Sequence, residues 1–212
     1  LGIQSLVPFL RAVCGSKKSW VARHTGAKIV QQIAAIVGCG VWPHLNSLVD
    51  CLADGVEDDN VQVRKATALA LSALAESSAP YGIESFEPVL ESLWGGIRRH
   101  RGNTLSAYLK CIGNIIPLMD SEYAGYYSNE VFRILLREFN SADDDMKRTV
   151  LKVIQQCAAV EGIDVGYVRN EVLQSFTKNF WNRRSVLDNR LKRMIFETPD
   201  VISTRIGYEN SK

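Results

Sequence analysis

Apolar residues recur along this chain at the spacing of one face of an α-helix, and the faces themselves recur. Segments starting at Ala22 (ARHTGAKIVQQIAAIVG), Val63 (VRKATALALSALAE), Leu105 (LSAYLKCIGNIIPLM), Met146 (MKRTVLKVIQQCAAV) and, more faintly, Leu187 (LDNRLKRMIF) start 41, 42, 41 and 41 residues apart. Superposed, they put Ile29, Ala70, Ile112 and Val153 in one column and Ile33, Leu74, Ile116 and Cys157 four residues on. Positions i and i+4 share one side of a helix, so each segment carries an apolar stripe. Between them stand GIQSLVPFLRAVCG, GVWPHLNSLVDCLADGV, GIESFEPVLESLWGGI, SEYAGYYSNEVFRILLREF and GIDVGYVRNEVLQSFTKNFW, each with helical period and each opening on Gly or a capping-type residue. No strand-like alternation competes.

Two helices per repeat of that length predict an all-α chain. Its architecture is an α-solenoid of about five HEAT repeats with a period of about 41 residues. The hairpins fall approximately at 1–38, 39–79, 80–120, 121–161 and 162–212, all in one segment, 1–212. A V-R pair after an acidic turn, as in EDDNVQVRKA (57–66), also fits the HEAT pattern. Pro199 lies inside the last helical pattern, where its ring removes a backbone donor. Neither end reads as a polar cap and there is no initiator Met, so a longer parent superhelix is expected.

Charge separates the two helices of each hairpin, here called A and B. In the first four hairpins the A segments (2–14, 40–58, 82–96, 122–140) hold ten acids and three bases. The B segments (19–38, 60–78, 102–119, 146–160) hold eight bases and one acid, Glu76. B helices line the concave side of HEAT superhelices, so the sorting predicts an inner face more positive than the outer, suited to a phosphate backbone. One column of B residues, Arg23, Arg64 and Lys147, stands where HEAT repeats pair a base with an acid of the neighbouring turn. Asp58 and Asp59 are available to complete that structural ladder. The next column holds His24, Lys65 and Arg148, with Lys28 and Lys152 one turn on. They have no matching acids, and form either a ligand-facing row or a solvated face. The run IRRHRG (97–102) gathers Arg98, Arg99, His100 and Arg101 beside Gly102, as a solvated turn or a phosphate contact.

Composition narrows the classes. With 46% hydrophobic and 23% charged residues the chain is too apolar for disorder, and its net charge of +2 means that any nucleic-acid binding comes from segregated charge. Uncharged runs are too short for a membrane span, and LGIQSLVPFL lacks the marks of a signal peptide. Cys14, Cys39, Cys51, Cys111 and Cys157 are odd in number and scattered, which suits small buried hydrophobes in a reducing compartment. Phosphate-loop, dinucleotide, zinc-protease and serine-hydrolase motifs are all missing, and no His lies beside a Cys or carboxylate at ligand spacing. The DDD at 143–145 suits a helix start, and Trp20, Trp42, Trp94 and Trp181 suit packing between repeats. No enzyme, metal or cofactor is expected.

The strings SKKSWVARHTGAKIVQQIA, APYGIESFEPVLESLWGGIRRHRG, IPLMDSEYAGYY and MKRTVLKVIQQC closely resemble the HEAT-repeat domain of the largest subunit of splicing factor 3b, a U2 snRNP component. The resemblance runs over nearly the whole chain and fades after Trp181. It implies a nuclear, non-enzymatic scaffold of the spliceosome with no cofactor, membrane or small-molecule substrate. The partners implied are pre-mRNA and the small nuclear RNA–intron duplex, other splicing factor 3b subunits, and a DEAD-box splicing ATPase. His24, Lys28 and Gln62 fall at functionally sensitive inner-face positions of the family. Where Gln62 stands the family carries Lys, which weakens a charge-based role there. Two readings follow: a concave face that grips intron RNA, or a platform that docks splicing proteins without strong RNA contact.

Overall fold

The computed structural model describes residues 2–189 and 191–210, and these residues form helices and no strands. Four helical hairpins come first: α1 (Ile3–Cys14) with α2 (Trp20–Val37), α3 (Leu45–Leu52) with α4 (Val61–Ser78), α5 (Glu87–Arg99) with α6 (Gly102–Ile115), and α7 (Ser121–Glu138) with α8 (Asp144–Ala158). The residues pack as two compact units, one up to Leu118 and one from Met119 on.

In the first unit the B helices α2, α4 and α6 lie side by side, with α4 in the middle. Its place explains its composition. Covered on both flanks and by its own A helix, α4 buries Ala66, Ala68, Ala70 and Ala75 around Leu71 and Leu74, small residues that let three helices approach closely. At the end of the row, α2 has a B-helix neighbour on one flank only. Ile29 and Ile33 are therefore only half-buried, while Ala70, Leu74, Ile112 and Ile116 in the same columns are fully buried.

Three of the first four B helices start where the sequence supplies a cap; α6, which follows Arg101, has no side-chain cap. Ser19, Asn60 and Asp143 accept backbone N–H bonds from Ala22 (3.2 Å), Gln62 (2.8 Å) and Asp145 (2.9 Å). The acidic run 143–145 thus serves a helix start, as its position suggests.

In the second unit α7 packs on α8, and α8 on the last helix. The fifth hairpin departs from the sequence reading. Its A helix is broken into α9 (Val165–Tyr167), a π-turn over Val168–Val172 and α10 (Leu173–Phe180). Leu187, taken from the repeat as the start of the fifth B helix, ends the short α11 (Arg183–Leu187) instead. Asp188 is extended (φ −74°, ψ 106°), and the true B helix, α12, is Lys192–Asn210. It continues through Pro199, which forfeits one N–H bond. One residue earlier, Thr198 donates its hydroxyl to the Met194 carbonyl at 2.7 Å. Among the described residues no helix is long and apolar enough to cross a membrane.

Candidate functional site

The candidate site is the row of side chains that the B helices of the first unit present at and near their N-terminal ends. The Ser19 cap starts α2 at Trp20, so Trp20, His24 and Lys28 follow at i, i+4 and i+8 on one helix face. The Trp20 and His24 rings meet edge to face, with centroids 6.4 Å apart and planes at 66°. Lys28 is exposed, its Nζ 3.4 Å from Gln31 Oε1. At the corresponding start of α4, Gln62 is exposed and Lys65 half-buried. Among the described residues, no carboxylate pairs with Lys28 or Lys65.

Arg23, one residue before His24, turns away from this row. Its Nε and Nη2 donate to Asp58 Oδ2 and Oδ1 at 2.5 and 3.0 Å, and Nη1 donates to the Ser16 carbonyl at 2.8 Å. Asp58 also accepts the Asn60 backbone N–H at 2.8 Å, and its side chain is only 6% exposed. Burial alone would raise the Asp58 pKa, but the Arg23 bonds, the Asn60 N–H and the Arg64 charge together hold it below the usual carboxylate range. A guanidinium matched in two-pronged fashion to a carboxylate is a join between the first two repeats.

The rest of the expected ladder is built differently. Arg64 donates to the backbone carbonyls of Asp58 (2.5 Å) and Asp59 (3.0 Å), not to their carboxylates. Lys147 lies 3.6 Å from Asp144 on its own helix, because the acidic cap of α8 sits within one turn of it. That same cap brings Asp145 to 3.7 Å from Arg148, so Arg148, expected without an acid, has one. Lys152 is exposed.

The basic turn after α5 is also partly occupied. Arg99 donates to Glu57 at 2.6 Å, an acid distant in sequence that the previous repeat brings across. Arg101 donates to the carbonyls of Arg98 (3.0 Å) and His100 (2.7 Å), and Gly102 takes φ +58°, the left-handed turn that a glycine permits. His100 packs on Tyr108 with centroids 5.2 Å apart. Burial, then the Arg64 and Arg99 charges, lower its pKa. Tyr108 donates its buried hydroxyl to the Val56 carbonyl, and burial pushes its pKa up to about 12. This turn is a knot between repeats, with Arg98 and Arg101 at its exposed edge.

A polar column between B helices escaped the reading of the sequence. Asn114 Nδ2 donates to Ser72 Oγ (2.9 Å) and to the Ser72 carbonyl (3.2 Å), both residues being buried. In the second unit Gln155 Nε2 reaches Thr198 Oγ1 at 2.9 Å. The repeat places Ser72, Asn114 and Gln155 in one column, nine residues after each segment start. That shared polarity inside apolar stripes was the available signal.

One further expectation is met in part and another corrected. Trp20, Trp42 and Trp181 are 45%, 54% and 48% exposed, but Trp42 meets Tyr81 of the next hairpin with centroids 6.1 Å apart, and Trp181 meets Phe196 at 5.2 Å. Cys39 is exposed in the Gly38–His44 turn, while Cys14, Cys51, Cys111 and Cys157 are buried. Burial pushes the Cys14 and Cys157 thiols up to about 12 and raises Cys51 and Cys111 as well. A thiol-exchange reagent under native conditions is therefore expected to label Cys39 rapidly and the other four only on unfolding. Fast labelling of more than one thiol would contradict the burial. Among the described residues no group of three His, Cys, Asp or Glu could hold a metal ion.

The fold and this row define a segment of an α-solenoid in which, among the described residues, Lys28 and Lys65 of the first two B helices pair with no carboxylate. No family model matches the chain. It is 53% identical over 207 residues to the U2 snRNP component prp10 of Schizosaccharomyces pombe, covering 98% of this chain and 17% of that protein. It is 52% identical over 207 residues to the U2 snRNP component HSH155 of Saccharomyces cerevisiae, covering 98% of this chain and 21% of that protein. The chain belongs to this family, that of the splicing factor 3b largest subunit, and spans about a fifth of the length of these relatives. Among solved structures, an engineered protein shares the fold at a TM-score of 0.70 and 13% identity, over 92% of this chain and 78% of that one. A designed armadillo repeat protein in complex with the peptide (KR)4 shares it at 0.57 and 12%, over 91% and 87%.

Proposed function

We propose that this chain is a segment of a nuclear splicing scaffold without enzymatic activity. Its B-helix row faces intron RNA and supports branch-site selection within U2 snRNP. The observation that carries the reading is the division of labour along α2. Arg23 is sealed against Asp58, while among the described residues its neighbours His24 and Lys28, with Lys65 on α4, pair with no carboxylate. A ladder residue and a ligand-facing residue are different things, and here they stand side by side. Gln62 adds hydrogen-bonding capacity without charge. Arg148 and Lys152 hold the same repeat positions in the second unit, Arg148 with its charge partly met by Asp145. Arg98 and Arg101 at the edge of the basic turn are further phosphate candidates, with Arg99 held by Glu57.

Fluorescence anisotropy of the chain with a labelled single-stranded RNA, titrated across salt, tests this. Binding is expected to weaken steeply with salt. The double variant Lys28→Glu, Lys65→Glu should lower the log–log slope by about one unit for each phosphate contact removed. An unchanged slope in that variant would show the row to be solvated only.

The acidic A segments, and an uncharged Gln62 where the family carries Lys, favour a second reading. In it the row docks a DEAD-box splicing ATPase or another splicing factor 3b subunit, and RNA passes without strong contact. Negligible RNA binding at low salt, with capture of such a protein that His24→Ala or Lys28→Ala abolishes, would decide for it.

A further inference from the structure

Trp20 is the least explained large side chain of the row. It opens a B helix and is 45% exposed, on the face that also carries His24 and Lys28. Among the described residues its one ring contact is the edge-to-face meeting with His24, a geometry that engages at most one face of the indole. The cations around it are arranged on both sides. Lys17 and Lys18 are exposed in the turn just before the Ser19 cap, and Lys28 lies two turns beyond, about 12 Å along the axis. Among the described residues none of these three lysines pairs with a carboxylate, and the one nearby acid that is buried, Asp58, is consumed by Arg23. An aromatic face held between unpaired cations is the arrangement that takes an unpaired base and its flanking phosphates.

We infer that Trp20 is a stacking platform for one base of single-stranded RNA, oriented by His24, with Lys17 and Lys18 on the phosphate to one side and Lys28 on the phosphate to the other. The inference rests on the RNA-facing reading above and adds a contact that charge sorting alone does not require. It gives the row a way to distinguish unpaired from paired RNA, since a duplex keeps its bases stacked on one another. Stacking tolerates every base and favours those with the larger rings.

The test is anisotropy of the full chain with labelled oligoadenylate, oligouridylate and a duplex RNA. Trp20→Leu should weaken oligoadenylate binding about tenfold while leaving the salt slope unchanged, because no ion pair is lost. Trp20→Phe should retain most of the affinity. The pair Lys17→Gln, Lys18→Gln should also weaken binding but, unlike Trp20→Leu, reduce the slope. Duplex binding should be indifferent to Trp20→Leu. If Trp20→Leu binds oligoadenylate like the wild type while Lys28→Glu, Lys65→Glu still loses affinity, the stacking contact is overturned and the RNA-facing row survives. If the wild type binds no RNA, both fall. Equal losses in Trp20→Leu and Trp20→Phe, accompanied by lower melting temperatures, would assign Trp20 a structural part and overturn the inference.

Discussion

Replacing Asp58 with alanine is expected to cost about 2 kcal/mol, enough to lower the thermal midpoint by several degrees. The carboxylate accepts two bonds from Arg23 and one from the Asn60 backbone, and its side chain is 6% exposed. Its loss strands the Arg23 side chain, 21% exposed, which recovers part of its hydration and so moderates the cost. The pH dependence follows from the lowered Asp58 pKa. A carboxylate whose folded pKa lies below its unfolded value stabilises the fold above about pH 4, the unfolded value, and that contribution disappears as pH falls through the folded value. The difference in stability between the wild type and Asp58→Asn should therefore be full at pH 7 and shrink below pH 4. Denaturant titrations at both ends of that range measure it, and a difference independent of pH would show that the carboxylate's charge is irrelevant. Function and stability should also separate here. Asp58→Asn leaves the Arg23 charge without its carboxylate, so under the proposed RNA-facing reading this destabilised variant should gain RNA affinity at low salt, the opposite of what loss of a binding residue produces.

How much of this was legible in the sequence depends on how local each feature is. The hairpins and their caps are local: Ser19, Asn60 and Asp143 bond backbone atoms two or three residues away, and the period shows them repeatedly. The Arg23–Asp58 pair spans 35 residues, but the repeat reduces that to a neighbour relation, so aligned segments were enough to suggest it. The Arg99–Glu57 pair spans 42 residues and was missed, because the basic run was compared only with acids near it in sequence. Arg148 shows the reverse error. It was assigned to a row by its column, while its own first turn carries Asp145. The fifth hairpin failed for a further reason. One period past Met146 falls on Leu187, whereas the Gln155–Thr198 bond shows that the real register is set 43 residues on. A break at Asp188 absorbs the offset, and no periodic rule predicts a break.

Gly125→Ala should also destabilise the fold, and it is the sharper test of the fourth hairpin. An alanine in a helix interior normally stabilises by about 1 kcal/mol over glycine, so sequence propensity alone predicts a gain for α7. The packing decides otherwise. A Cβ on Gly125 would stand 2.0 Å from the Gly162 carbonyl oxygen and 2.5 Å from its carbonyl carbon. The obstacle is backbone and cannot rotate away. Relief from the other side is blocked as well, since Gly162 itself lies so close that a Cβ on it would be 1.7 Å from the Ser121 carbonyl oxygen. The connection after α8 thus lies flat across the start of α7 through two facing glycines. Inserting a methyl group means lifting that connection and, with it, the approach to the fifth hairpin. Overpacking of this kind costs about 1–3 kcal/mol or more, which outweighs the helix gain. Gly207→Ala in α12 is the control, because a Cβ there meets nothing within 4 Å and should leave the second unit unchanged or slightly more stable. If Gly125→Ala melted at or above the wild-type temperature, the two backbones could not be in contact, and the path of residues 159–164 over α7 would have to be redrawn.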